Sequence, residues 1–193
     1  MDYYKENYKE YFDRTFLLDP SSFLAPVAER LSIGAMVLDV GCGSGRDLLW
    51  FKKKGFEVIG FERSAGLADL AREHSGVEII EGDFDTYDFS FISVDAIIAS
   101  GSLVHVQHKR LADILQNIVQ ALEKHGIFYV SLKQGEGTKT DDLGRSFYYW
   151  QDEELKEVFK SLNFKVLDSY QNKSIANSDD VWLSYILRKF GNF

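Results

Sequence analysis

Three short stretches of the chain carry side chains suited to holding a polar ligand. In VLDVGCGSGRDLLWF, Val37 to Phe51, four β-forming residues run into a loop with glycine at positions 41, 43 and 45, and a helical pattern opens immediately afterwards. Glycine lets the backbone turn tightly and approach a ligand closely, because no Cβ collides and positive φ costs little. VIGFE ends in Glu62, about 20 residues past the loop, where a carboxylate accepts hydrogen bonds from both hydroxyls of a ribose and repels a 2′-phosphate. EGDF supplies Asp83 as an acceptor for an adenine amino group and Phe84 as an apolar surface for its ring. The dinucleotide fingerprint needs its third glycine one place later, where Arg46 stands, and the Gly-Lys-Ser/Thr of a P-loop is missing, so both phosphate-binding readings weaken.

These stretches are positioned by alternating strands and helices. The first sixteen residues place Tyr4, Tyr8, Tyr11 and Phe12 at helical spacing, and a second helix starts near Ser21 or Ser22 and buries Phe23, Leu24, Val27 and Leu31. A strand through Val40, the glycine loop, a helix to about Lys54 stopped by Gly55, and a strand ending at Glu62 make a βαβ unit. A helix capped by Ser64, the strands VEIIEGD and VDAIIAS, a long helix carrying Leu111 to Leu122 with Gly126 after its end, and the strand GIFYVSLK continue the alternation. After Lys133 come a polar loop, a helix over Glu153 to Leu162 capped by Asp152, and the strands KVLDSY and DVWLSYILRKF. The pattern predicts an α/β fold, a Rossmann-like, doubly wound, mostly parallel seven-stranded sheet with an antiparallel C-terminal edge pair and helices on both faces.

Bulk properties narrow the function. A length of 193 residues with 45% hydrophobic content fits one domain with a real core. The formal charge of −8 speaks against nucleic acid as a partner, and the basic run Lys52 to Lys54 reads as a solvated helix face. No apolar segment approaches the roughly 20 residues of a membrane span, and Cys42 is the only cysteine, so a cytoplasmic protein with no membrane partner is expected. His105 with His108 suggests a metal pair, but no cysteine or carboxylate cluster completes a ligand set, so no metal is expected. The loop KQGEGTKTDDLGRSFYYW sets Lys133, Glu136, Arg145 and Tyr148 near the mouth of the crevice, as a substrate lid of mixed polarity would.

With LDVGCGSG, GFE and EGDF at three successive strand ends, the chain resembles class I S-adenosylmethionine-dependent methyltransferases over residues 10 to 190 or so. GSLVHV and the later SLKQGEG…DDLGRSFYYW resemble a small bacterial tellurite-resistance-like group. The resemblance implies S-adenosylmethionine as cofactor and S-adenosylhomocysteine as product. It implies that Asp39 shapes the loop and orients the cofactor ammonium, while the backbone of Gly41, Cys42 and Gly43 approaches the methionyl part. Glu62 would bind the ribose, Arg63 would flank the adenine, Asp83 and Phe84 would fix the base, and Ser100 would offer backbone contacts below the sulfonium. Tyr11 and Arg14 resemble the family's lid, with Arg14 facing the cofactor carboxylate. The single domain then divides into a helical lid over 1–32, a cofactor core over 33–133, a substrate loop over 134–150 and a C-terminal helix with antiparallel strands over 151–193.

Methyl transfer is an in-line displacement at a carbon activated by positive sulfur, so the protein's work is alignment and exclusion of water. Where the acceptor carries a proton, His105 after the fourth strand is the candidate catalytic base. The chain has neither an Asn/Asp-Pro-Pro-aromatic motif nor a Pro-Cys nucleophile, and with its acidic charge this favours a small-molecule methyl acceptor. A protein or tRNA methyltransferase and a non-catalytic S-adenosylmethionine-binding module stand as alternatives, and monomer or homodimer is left open. A nicotinamide oxidoreductase is disfavoured by the glycine spacing.

Overall fold

The computed structural model describes residues 3–176 and 179–189; the expected end of the last strand, Phe190, lies outside the described residues. Five strands run parallel: β1 (Met36–Val40), β2 (Glu57–Glu62), β3 (Glu78–Glu81), β4 (Val94–Ser100) and β5 (Leu122–Lys133). With β8 (Phe164–Lys173) and β9 (Val181–Lys189) they form one seven-stranded sheet in the order β3-β2-β1-β4-β5-β9-β8, in which β9 is antiparallel to both β5 and β8. From β1 the chain winds outward to β2 and β3, then returns to β4 and β5 on the other side. The order therefore reverses between β1 and β4, where an open α/β sheet leaves a crevice beyond its strand ends.

Successive residues of β1 point to opposite faces, and both faces are covered. Val37 packs with Phe23, Leu24 and Val27 of α3 (Ser21–Ala28) and with Phe51 of α4 (Arg46–Lys53). Leu38 and Val40 pack on the other face with Leu111, Ile114, Leu115 and Ile118 of α6 (Leu111–Ile118) and with Leu155 and Phe159 of α7 (Asp152–Ser161). Near the β3 edge, Ala68 and Ala71 of α5 (Ala65–Ser75) close a smaller cluster with Leu48 and Ile79.

Several local expectations are corrected. The N-terminal helix is two, α1 (Tyr3–Glu6) and α2 (Tyr8–Thr15), broken at Asn7, whose ψ of 29° is non-helical. At α3, Ser21 is already helical, and its N–H donates to the carboxylate of Asp19, which lies ahead of the helix. Leu31 lies beyond the end of that helix, half-buried against the same cluster. The helix from Leu111 stops at Ile118, tightens into a 3₁₀ turn over Val119–Ala121, and Leu122 already opens β5. The buried Lys189 ammonium donates to the carbonyls of Val119 and Leu122, groups a continuing helix would have bonded itself. Gly126 therefore sits inside β5, next to an irregularity in the β4–β5 register. Asp152 is the first residue of α7, and the cap is Gln151, whose N–H donates to Glu154. The expected loop after Lys133 contains a two-stranded hairpin, β6 (Thr138–Thr140) and β7 (Ser146–Tyr148).

Candidate active site

Two chambers open at the switch point. The first, about 270 Å³, is lined by the tips of four strands: Gly41 and Gly43 after β1, Glu62 and Arg63 at β2, Asp83 and Phe84 after β3, and Ser100 at β4. Tyr11 and His105 also face it. Nine of the residues singled out from sequence thus share one hollow. A narrow recess of about 30 Å³ beneath the loop brings in Asp39 and Cys42, with Arg46 and Asp47.

The loop holds its shape through its own backbone. Gly41 and Cys42 both donate N–H to the Phe61 carbonyl (2.7 and 3.1 Å), Gly45 donates to the Cys42 carbonyl (2.9 Å), and Gly43 donates to Glu62 Oε2 (2.9 Å). These four N–H groups are spent within the protein, so they cannot cradle a phosphate, which gives a structural reason for the failure of both phosphate-binding patterns. Glycine is required at 41: φ is +74°, and a Cβ would come within 2.4 Å of the Ser102 Cβ. At Gly43, φ +55°, a Cβ would press on the Tyr11 ring at 3.1 Å.

Glu62 is buried, and its other oxygen accepts the Ser64 N–H (2.8 Å). Two N–H donors leave about half of a carboxylate's acceptor positions available to a ligand. Burial raises its pKa, against the lowering effect of the Ser64, Gly43 and Arg63 N–H groups and of the Arg63 charge. Asp39 is 3% exposed, and its carboxylate accepts no hydrogen bond among the described residues. Burial first, then Asp47 and Glu62 nearby, hold its carboxyl well above the usual range, with Arg46 opposing. A recess holding two carboxylates and one guanidinium suits a ligand ammonium, which would relieve the repulsion. Ser102 contributes a buried Oγ without a partner beside the first chamber. The Cys42 side chain is buried with Leu48 and Ile79, and burial, with Asp39 and Glu62 nearby, pushes its thiol well up.

The second chamber, about 330 Å³, adjoins the first at Tyr4, Tyr11, Ser100 and Gly101, which line both. Arg14, Lys133 and Arg145 face it, together with Phe23, Phe147 and Trp182. Two of the residues expected near the substrate are elsewhere. Glu136 is exposed and takes a long 3.4 Å contact from Gln151, and Tyr148 turns its ring toward His108; neither lines a chamber. Their hairpin nevertheless docks on the site, since Tyr148 N–H donates to the Val104 carbonyl (2.8 Å) and presents Arg145 and Phe147 inward.

His105 lies between these parts. Its Nδ1 is 2.6 Å from the Ser146 carbonyl oxygen, which can only accept, so Nδ1 carries the proton and Nε2 offers its lone pair. The Tyr4 hydroxyl donates to that Nε2 at 2.9 Å. Burial lowers the His105 pKa, and the cations Arg145, Lys133 and Arg63 lower it further. Tyr4 was legible only as one aromatic on an amphipathic face. It enters the site because Ser64 Oγ donates to its carbonyl and ties α1 to the start of α5. Arg46, also missed, had a signal: a cation in the first turn of a helix opposes the helix dipole unless paired, and Arg46 is paired with Asp47 at 2.6 Å.

Among the described residues no group of three or more metal-ligating side chains is found, and no helix is long and apolar enough to cross a membrane.

Known proteins resemble this chain in sequence and in fold. Residues 37–126 match the family described as a methyltransferase domain. An uncharacterized methyltransferase of Geobacillus sp. is 26% identical over 188 residues, covering 88% of this chain and 84% of that protein. The probable S-adenosyl-L-methionine-dependent methyltransferase TehB of Haemophilus influenzae is 21% identical over 167 residues, covering 84% of this chain and 55% of its own length. Among solved structures, the Burkholderia thailandensis 1,6-didemethyltoxoflavin-N1-methyltransferase, with bound 1,6-didemethyltoxoflavin and S-adenosylhomocysteine, has a TM-score of 0.78 at 22% identity, covering 98% of this chain and 84% of that one. At that identity the likeness is one of fold.

Proposed function

We propose, from the methyltransferase-domain match over residues 37–126 and the resemblance to TehB, that the chain is a class I S-adenosylmethionine-dependent methyltransferase that methylates a small molecule seated in the second chamber. The observation that carries this is the pair of chambers meeting at Tyr4, Tyr11, Ser100 and Gly101, one rimmed by strand tips and the other walled by side chains. A volume of about 330 Å³ falls in the range of small-ligand pockets. The Burkholderia neighbour, with its small heterocyclic acceptor bound, lends support by analogy.

When bound, S-adenosylmethionine supplies a methyl carbon activated by positive sulfur, and loss of that methyl leaves neutral S-adenosylhomocysteine. In this reading Glu62 accepts the two ribose hydroxyls with the lone pairs that Gly43 and Ser64 leave. Asp83 and Phe84 fix the adenine, with Arg63 beside it 3.7 Å from Asp83. Asp39 receives the ammonium, and Arg14 and Arg46 take the carboxylate. Tyr11 and Ser100 sit at the junction and hold the line of attack while water is excluded. For an acceptor that must lose a proton, Tyr4 Oη takes it as its own proton passes to His105 Nε2. Tyr4 stays neutral and His105 becomes imidazolium, held by the Ser146 carbonyl. The acceptor's lone pair forms the new bond to the methyl carbon, and the electrons of the broken carbon–sulfur bond stay on sulfur.

The test is turnover of S-adenosylmethionine to S-adenosylhomocysteine against a metabolite panel, with a protein extract and transfer RNA as separate arms. Methylation confined to a small molecule supports the reading. Methylation of protein or RNA, or binding of S-adenosylmethionine without turnover in any arm, overturns it.

A further inference from the structure

We propose that the second chamber selects an anionic acceptor built on a flat aromatic ring. This rests on the methyltransferase reading above and narrows its substrate class.

The chain carries a formal charge of −8, yet among the described residues this chamber is lined by Arg14, Arg46, Lys133, Arg145 and Lys173 against Asp180 alone. Three of these cations have acid partners: Arg46 with Asp47, Lys133 with Asp180 at 2.8 Å, and Arg145 with Asp141 at 2.6 Å. Arg14 and Lys173 have none among the described residues, so the walls keep an excess of positive charge. Bound S-adenosylmethionine adds one more net positive charge, that of its sulfonium. An amine acceptor would enter against all of them; an anion is drawn in by all of them.

The innermost cations are placed to hold such a group. Lys133 Nζ lies 4.0 Å and Arg145 Cζ 5.3 Å from the centre of the Phe147 ring. Their side chains are only 11% and 17% exposed, so an anion reaching them is poorly screened. The remaining walls are flat. Phe23 and Tyr129 lie nearly parallel, 15° apart with centroids 6.1 Å apart, and Trp182 closes against Gly101, where a Cβ would stand 3.0 Å from the indole. Rings of this kind favour an aromatic guest by offset stacking. The Tyr129 and Ser184 hydroxyls, 3.1 Å apart on the same wall, supply the polar contacts that orient it.

The test uses the full chain loaded with S-adenosylhomocysteine and titrated calorimetrically with 2-hydroxybenzoate and 1-naphthoate, each beside its neutral amide, and with benzylamine. The carboxylates are expected to bind about tenfold tighter than their amides, as charge-assisted hydrogen bonds do over neutral ones, and to lose much of that margin at high salt. Arg145→Gln and Lys133→Met should each shrink the margin while S-adenosylhomocysteine affinity persists, which also reports that each variant is folded. Carboxylates that bind no better than amides or benzylamine, or do not bind at all, overturn the proposal. Failure of the wild-type chain to bind S-adenosylhomocysteine overturns the methyltransferase site instead.

Discussion

The two chambers are built in different ways. Each main residue of the first sits at the tip of a strand or just beyond it, and much of its shape comes from backbone: three glycine-loop N–H groups tied to Phe61 and Glu62, and a positive φ at Gly41. The second draws on Tyr4 of α1, Phe23 of α3, Lys133 of β5, Phe147 of the hairpin and Trp182 of β9, which meet only through the fold. One is a property of strand ends, resting on a few carboxylates and intolerant of a misplaced Cβ. The other is a property of side chains, and substitutions there change what binds before they change whether the protein folds.

Gly41→Ala should break the first chamber most completely. Its φ of +74° and the 2.4 Å approach to Ser102 leave no strain-free position for the methyl. We expect S-adenosylhomocysteine affinity to fall on the order of a hundredfold or more, by calorimetry, with a stability loss of about 1–3 kcal/mol in urea unfolding. Gly137→Ala, also at positive φ but with nothing within 4 Å, should leave cofactor affinity intact.

Asp39→Asn separates stability from binding at the same chamber. The Asp39 pKa is raised in the folded state, so its favourable contribution is fully present below the ordinary carboxylate value and is lost as pH rises through the raised one. The ligand-free variant should therefore melt at or above wild type at neutral pH. Its cofactor affinity should nevertheless drop about tenfold, because a charged hydrogen bond to the ammonium is gone. A variant that melts lower and binds normally would return Asp39 to loop support.

Tyr4→Phe and His105→Gln probe the seam between the chambers. For a protic acceptor each should slow the chemical step about a hundredfold with cofactor affinity unchanged. The lowered His105 pKa places the acid limb of the wild-type rate below about pH 6.5, and His105→Gln should remove that limb. The same shift makes neutral His105 the folded form, so its contribution to stability is lost as pH falls below that value. A wild-type pH profile in His105→Gln would leave the imidazole a packing role against Phe147, 4.7 Å away. Glu136→Ala sets the floor of the series. Facing solvent outside both chambers, it should change cofactor affinity and turnover by less than about twofold.

The first chamber was legible because its information is local: a period-two apolar run, glycines at fixed offsets and a carboxylate at the next strand's end all lie within short windows. The same windows carried the order of strands and helices and the antiparallel close. In two places where they failed, a distant group had decided. Lys189 ends the helix before Leu122, and Ser64 reaches across to α1 and brings Tyr4 beside His105. The orientation of residues within the 134–150 segment was likewise beyond composition: pairing of Thr138–Thr140 with Ser146–Tyr148 turns Arg145 and Phe147 inward and leaves Glu136 in water. Sequence alone determined that β1, β2, β4 and β5 end at Val40, Glu62, Ser100 and Lys133, since periodicity and turn chemistry act over a few residues. Only the tertiary structure decided which side chains face one another across the crevice, because those contacts join segments a hundred residues or so apart, whose meeting is set by the packing of the whole sheet.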